Sequence, residues 1–287
     1  MSSTIDSFVN KRKFYHKQDY ILDEINNRLI LSPKFHKELQ KNQGTNLGFR
    51  KISGTYFGDI FETDSYKSKF NAYLRLTGLA LPSFPSKYLT AGIFIEPKIL
   101  EYIEQETNDV LQRFNPKECS FDYFKDNKFF GGLPDGFSKS KNKIYEIKTT
   151  SIKNFAHWNT AKDIPQGYIK QAQLYAYLMK AKTFEIVVCF LEDKDYENPN
   201  EFVLQKQNIK TFAFELDEKL ARKEIAIAFM FWKKYLKIGQ SPNYSNSQKN
   251  LTDILDYLRC SNAIEYKQLL SKWVESGKVK LNENQID

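Results

Sequence analysis

The sequence is poor in the residues from which covalent or metal-knotted scaffolds are built. Its three cysteines, Cys119, Cys189 and Cys260, lie about 70 residues apart with no CxxC pair. An odd, dispersed set excludes a disulfide framework, a cysteine-based zinc site and a four-cysteine iron–sulfur cluster. The three histidines, His16, His36 and His157, are equally scattered, so no histidine-rich zinc site is expected. Arginine is scarce as well, at 7 of the 43 basic residues. No apolar run approaches the roughly 18 residues needed to cross a bilayer. The N-terminal MSSTIDSFVNKRKFYHK lacks the apolar stretch of a secretory leader. Together these absences predict a soluble cytoplasmic protein with no membrane association.

What is present suits a folded domain of substantial size. Over 287 residues, 41% are hydrophobic and 15% aromatic, enough for a real core and too apolar for intrinsic disorder. The formal charge is +8, carried by 36 lysines. Lysine is a point charge on a flexible stem, better suited to holding phosphates without regard to sequence than to reading bases with a fork. Residues 1–51 hold 10 Lys+Arg against 5 Asp+Glu, so most of the excess sits there. A polyanionic partner is the first implication.

The pattern along the chain changes period. Helical spacing is expected across Tyr20–Leu31 and Ser32–Lys41, then a loop at QGTNLG (43–48). Asp64 or Ser65 is a candidate N-cap for a helix running to Leu76 and stopped by Gly78. Leu89, Ile93, Leu100 and Ile103 recur at helical spacing around Pro97, which predicts a helix start or a kink there. Ser120–Phe124 and Lys128–Gly132 read as strands about an Asp-Asn turn. Lys143–Thr150, Glu185–Leu191 and Lys210–Leu216 read as strands. Gln166–Lys182 and Asp217–Leu236 read as helices, and further helical pieces follow near 248–258 and 262–276. The sum is one α/β domain: a basic helical N-terminal extension (1–47), a core (48–238) and a helical C-terminal extension (239–287). The stripe Leu251, Ile254, Leu255 and Leu258 in the last of these is expected to pack, with a subunit or partner contact as the alternative.

The chemistry is concentrated in Gly131-Gly-Leu-Pro-Asp135-Gly and Glu146-Ile-Lys148. Glu146 and Lys148 are two apart on a strand and share a face. Charges on the inward face of an apolar strand are costly unless something uses them. The intervening SKSKNK reads as a hairpin loop that brings Asp135 alongside Glu146. Two converging carboxylates suit a hard divalent cation, and a neighbouring ammonium can position or help deprotonate water and neutralise charge on a phosphate.

Pro134-Asp135 followed by Glu146-Ile147-Lys148 resembles the signature of the PD-(D/E)XK nucleases, and its surroundings resemble the YqaJ and phage lambda exonuclease (RecB-like) group. Gly92-Ile-Phe-Ile-Glu96-Pro97 matches the upstream motif of that group. Pro165, Tyr168 and Gln171 match its Pro-x-x-Tyr-x-x-Gln, with Tyr175 completing Gln-x-x-x-Tyr. Ile52-Ser53-Gly-Thr55, Gly58, Ser65 and Tyr66 are similar to its N-terminal Ser/Thr motif.

The resemblance, over about 48–216, implies a restriction-endonuclease-like core with a central mixed sheet flanked by helices, and helical additions at both ends. It implies Asp135 and Glu146 as the main metal ligands, completed by the Ile147 carbonyl, and Glu96 bearing on a second ion. Lys148 is the implied catalytic lysine, with Gln171 and Tyr175 organising the site. The implied cofactor is Mg²⁺ or Mn²⁺, two ions per site. Arg50, Lys51, Ser53 and Thr55 are candidate DNA-phosphate contacts, although their spacing departs from the family's 5′-phosphate pattern. His157 and Trp158 are packing residues or base-stacking candidates. DNA is the implied partner, a homo-oligomer such as a trimer and a single-strand annealing protein the further ones. The implied activity is exonucleolytic hydrolysis of linear duplex DNA in recombination or repair, leaving 5′-phosphates. A structure-specific or restriction-like endonuclease and a catalytically silent DNA-binding module are the alternatives.

Overall fold

A computed structural model describes residues 2–42 and 50–281. The chain begins with α1 (Ser2–Lys11), β1 (Tyr20–Asp23), β2 (Arg28–Leu31), α2 (Pro33–Lys41), α3 (Gly54–Ile60) and α4 (Lys69–Thr77). Then come α5 (Lys87–Thr107), β3 (Leu111–Arg113), β4 (Gly136–Ser138), β5 (Lys143–Ser151), α6 (Gln166–Met179) and β6 (Thr183–Leu191). It ends with α7 (Asp193–Glu197), β7 (Ile209–Glu215), α8 (Glu218–Ile238), α9 (Leu251–Arg259) and α10 (Ala263–Glu275). Two compact units result. One gathers Met1–Lys51, Asp59–Ser86 and Phe229–Asp287, the other Ile52–Gly58 and Lys87–Ala228.

In the first unit, β1 and β2 form an antiparallel hairpin where helical spacing over Tyr20–Leu31 is expected. Burial alternates here with period two: Tyr20 and Leu22 are buried and Ile21 is exposed, as Leu29 and Leu31 are buried around Ile30. The turn is made by Asn27 at φ 51° and by Asp23, whose carboxylate accepts the Asn26 N–H at 3.1 Å. Ser32 caps α2 as its position suggests, its hydroxyl accepting from the Phe35 N–H at 3.3 Å. The cap of α4 is Ser68 instead of Asp64 or Ser65. Asp64 is used one step earlier, in a turn that accepts the Tyr66 N–H at 2.8 Å. Gly78 ends α4 at φ 74°, a left-handed conformation that glycine adopts without penalty. Leu251, Ile254, Leu255 and Leu258 are all buried. The loop expected at 43–48 lies outside the described residues.

The second unit carries a five-stranded sheet in the order β3-β4-β5-β6-β7. Its central pair, β5 and β6, is parallel, and the other pairs are antiparallel. Residues alternate between the faces of β5. Tyr145 and Ile147 join Val187, Cys189 and Leu191 against the buried face of α5. Ile144 joins Ile186, Val188 and Phe190 against Ala172, Tyr175 and Ala176 of α6. A mixed sheet with helices on both faces is the expected fold class, and the strands at Lys143, Glu185 and Lys210 fall where periodicity puts them.

Two expectations are corrected in this unit. Of the start or kink expected at Pro97, the start is absent, because α5 runs through the proline as one element of 21 residues. Ala91, Ile95, Ile99, Leu100 and Ile103 pack on both sides of the proline, and that burial offsets the hydrogen bond it removes. Leu100 and Ile103 are buried as expected, whereas before the proline the buried stripe falls on Ala91 and Ile95, and Leu89 and Ile93 are exposed. Ser120–Phe124 and Lys128–Gly132 are turns and loops instead of strands. Ser120 and Phe121 take φ values of 52° and 61°. The side chains of Asp122 and Asn127 accept the N–H groups of Phe124, Gly132, Phe129 and Phe130. Local side-chain acceptors have displaced a β ladder.

Ile186 pairs with Glu146 across the central ladder and has 0% exposure. Ile186→Ala is expected to cost about 2–5 kcal/mol, measured as a loss of unfolding free energy in urea.

Candidate active site

The β4–β5 hairpin places the two carboxylates. Gly136 pairs with Tyr145, so Asp135, one residue before β4, arrives opposite Glu146. Asp135 Oδ2 accepts the Ile147 N–H at 2.7 Å, which ties the Pro-Asp turn to the strand bearing the other two charged groups. Lys148 Nζ donates to Glu146 Oε1. The second oxygen, Glu146 Oε2, is buried with no hydrogen-bond partner. Glu96, half-buried on α5, is close enough to interact electrostatically with Asp135 and Lys148.

Burial dominates the protonation of all three acids. It pushes Glu146 up to about 8, with repulsion from Asp135 adding to it and Lys148 opposing. It pushes Glu96 up to about 7, again helped by the Asp135 charge. Asp135 is raised by the same desolvation, partly offset by the Lys148 ammonium and the Ile147 N–H. Burial alone would lower Lys148, but the Glu146 and Asp135 carboxylates outweigh it and hold the ammonium above the ordinary lysine value. Like charges crowded in low dielectric retain protons until a cation replaces them.

The second layer comes from α6 and from the segment around Ile52. Ile52 bridges Phe130, its N–H reaching Phe129 O at 2.8 Å and its carbonyl accepting from Gly131 at 3.1 Å. Tyr175 is buried and accepts the Gly54 N–H at 3.3 Å. It joins the Ser53-Gly54 segment to the loop leading into Asp135. Glycine is required at both contacts. A Cβ on Gly132, at φ +117°, would stand 2.4 Å from the Tyr175 hydroxyl, and one on Gly54 would stand 2.4 Å from Gln171 Cγ. Ser53 lies against Gly132, and Thr55 is exposed at the start of α3. Arg50, exposed, and Lys51, half-buried, belong to the other unit. His157 is exposed and Trp158 packs on Tyr168 and Phe190.

Spacing alone misses two things: the glycines that admit Gln171 and Tyr175, and the contact of Tyr168 with Lys148, whose Nζ lies 5.1 Å from the ring centroid. The motifs contain the signal in both cases, since Gly54 follows Ser53 and Tyr168 sits three residues before Gln171. Among the described residues, no three His, Cys, Asp or Glu side chains form a ready-made metal cage. The donor set nevertheless fits a divalent cation bound by two carboxylates. Glu146 Oε2 is a buried acceptor lacking a donor, and an ion of this class completes its shell with carbonyl, water and phosphate oxygens.

A mixed sheet with Asp135 at the entry to β4, opposite Glu146-x-Lys148 on β5, is the arrangement expected of a PD-(D/E)XK nuclease core. Residues 40–182 match the YqaJ-like viral recombinase domain. A curated relative, the uncharacterized protein MG373 of Mycoplasma genitalium, is 26% identical over 81% of this chain and 94% of its own length. Solved structures of similar outline include an alkaline exonuclease (LHK-Exo) from Laribacter hongkongensis. It is 18% identical, with a TM-score of 0.48 over 70% of this chain and 92% of that one. A phage-related exonuclease from Haemophilus somnus 129PT is 16% identical, with a TM-score of 0.47 over 79% and 98%. Among the described residues, no helix is long and apolar enough to cross a membrane.

The raised acids set the sign of a pH effect in the metal-free protein. An acid whose folded value lies above its ordinary 4.5 contributes stability that is present below about 4.5. That stability is lost as pH rises through about 7 for Glu96 and about 8 for Glu146. With chelator present, the thermal midpoint is therefore expected to fall between about pH 5 and about pH 8. The slope should be shallower in Glu146→Gln and in Glu96→Gln, and equal slopes in all three proteins would contradict the electrostatic account.

Proposed function

We propose that this chain is a divalent-metal-dependent deoxyribonuclease that degrades linear duplex DNA from its ends and leaves 5′-phosphates. The match of residues 40–182 to the YqaJ-like domain supports a nuclease. The observation that carries the metal-dependent reading is the unpartnered Glu146 Oε2 beside Asp135, with Lys148 on the same strand face. A buried carboxylate oxygen without a donor is costly unless a cation satisfies it in the working state.

Asp135, Glu146 and the Ile147 carbonyl would hold Mg²⁺ or Mn²⁺, with Glu96 bearing on a second ion. When bound, the metal would supply Lewis-acid activation of the attacking water and positive charge at the leaving 3′-oxygen. The protein's own groups do the rest. Lys148, kept protonated by its acidic neighbours, neutralises a non-bridging phosphate oxygen and orients water. It acts as a cation more than as a base. Tyr175 holds the loop of Asp135 against Ser53 and Gly54, so the nucleophile's seat and the substrate's approach are set by one buried phenol. Gln171, whose side chain lies beside Gly54, would contact the strand being cut. Lysine-rich charge and few arginines support backbone contact without sequence reading.

An end-labelled linear duplex with Mg²⁺ is expected to be shortened progressively while its covalently closed circular form survives. Chelation should abolish the reaction. Asp135→Ala, Glu146→Ala and Lys148→Ala should each lower the rate at least about a hundredfold while salt-dependent DNA binding persists. Wild-type rates in Glu146→Ala would refute the site, and cutting of the closed circle would favour an endonuclease.

A further inference from the structure

Lys148 has two kinds of neighbour that can balance its charge, the carboxylates of the proposed metal site and one aromatic ring. Of the carboxylates, Glu146 is the one whose Oε1 accepts from Nζ. On the nuclease reading, on which this inference rests, Glu146 would hold a divalent ion together with Asp135, and the ammonium would lose part of its anchor. The second neighbour is the ring of Tyr168, with its centroid 5.1 Å from Nζ. The face of an aromatic ring attracts a cation through its quadrupole. It offers no carboxylate to compete for the metal, and it leaves the ammonium N–H groups free for water and for a phosphate oxygen.

The ring is itself held. Tyr168 lies in the first turn of α6, its N–H bonded to Pro165 O at 2.9 Å. Trp158 packs edge-on to it at 6.3 Å and to Phe190 of β6 at 6.1 Å. The loop carrying Trp158 is clamped by Lys210 of β7, whose Nζ donates to Phe155 O at 2.6 Å, to Trp158 O at 3.1 Å and to Asn159 Oδ1 at 3.0 Å. A chain of contacts therefore runs from the sheet edge through Trp158 to Tyr168 and so to Lys148.

We propose that Tyr168 is a positioning residue for Lys148. Its ring face holds the ammonium in place when Glu146 is engaged elsewhere, and Trp158 and Lys210 fix the ring. The phenol hydroxyl takes no part, and the aromatic face is the whole requirement.

The test compares wild type, Tyr168→Phe, Tyr168→Leu and Lys148→Ala on an end-labelled linear DNA duplex with Mg²⁺, together with spectra of the metal-free proteins labelled with ¹³C-lysine. Tyr168→Phe is expected to keep wild-type kcat. Tyr168→Leu should lose on the order of tenfold in kcat with KM little changed, the size that a desolvated cation–π contact supports. In the metal-free spectra, the Lys148 methylene protons should sit upfield under the ring in wild type and Tyr168→Phe, and move downfield in Tyr168→Leu. Tyr168→Met, which fills the space without a ring, gives the same comparison should the leucine variant fold poorly. A ring-less variant that keeps wild-type kcat while Lys148→Ala is inactive overturns the positioning role and leaves the nuclease reading standing. Absence of cleavage by wild type overturns the nuclease reading and this inference with it. A Lys148 resonance indifferent to the ring overturns the contact itself, whatever the activity.

Discussion

A carboxylate with 0% exposure in the middle of a β-strand is held there against a desolvation cost of several kcal/mol, and Glu146 is such a group. Its neighbours on the β5 ladder are Tyr145 and Ile147, both buried, so the backbone gives it no route to water. One oxygen is compensated by Lys148 and the other is not. The rest of the second unit can be understood as what is needed to keep that group in place. The parallel pairing with β6 fixes the strand in the sheet, the hairpin from β4 delivers Asp135 beside it, and α5 and α6 close the two faces. A hydrophobic residue at 146 would make a better core. Retention of the acid is what a site has and a scaffold lacks.

Much of this was legible in the sequence because the signals were local. The strand at Lys143 alternates cleanly, the hairpin loop is polar, and Asp135 and Glu146 are 11 residues apart across one turn. The helix expected from Asp217 opens on that side chain, which accepts the Leu220 N–H at 2.8 Å. What could not be read depended on competition between levels. Tyr20–Leu31 satisfies helical and alternating templates about equally, and the left-handed Asn27 decided for the hairpin. Pro97 should start or kink a helix on local grounds, yet buried residues on both sides of it, five in all, keep α5 continuous. Asp122 and Asn127 look like turn residues between strands, but their side chains accept so many backbone N–H groups that no ladder forms. In each case a side-chain bond or a tertiary contact outweighed a propensity of less than about 1 kcal/mol per residue.

The irregular segments gain their order from close approach, and close approach is why glycine stands where it does. Gly54 and Gly132 admit Gln171 and the Tyr175 hydroxyl at distances that a methyl group would forbid. The loop 122–132, which has no ladder, is therefore no looser a part of the site than the strands. Asp122 bonds Gly132, Tyr123 bonds the Gly132 carbonyl, and Phe124 stacks on Tyr175 at 6.1 Å. Loops fixed in this way can carry chemistry with the precision usually found in strands, provided their polar groups are satisfied inside. The fit has a consequence for tolerance. A methyl group at either glycine is felt at Tyr175 or Gln171 before it is felt at the carboxylates, which makes these the positions where packing and reactivity are hardest to separate.

The chain carries an excess of positive charge and yet builds its centre from acids, and the two facts are consistent. Surface lysines are solvated and screened beyond about 8–10 Å in ordinary salt, so they can gather a polyanion without settling how it is cut. Inside, the sign reverses because acids that repel one another have a use for a divalent cation, whereas a buried cluster of lysines would only repel it. Lys148 stands at the boundary between these regimes. It is the lysine that Glu146 and Asp135 hold charged against burial, and on the proposed reading it would meet a phosphate while those carboxylates hold the metal. The other half of its environment is an aromatic ring and not a third carboxylate. Another acid would have bound the ammonium more tightly and competed for the ion; a ring does neither, and it leaves the lysine charged, located and available.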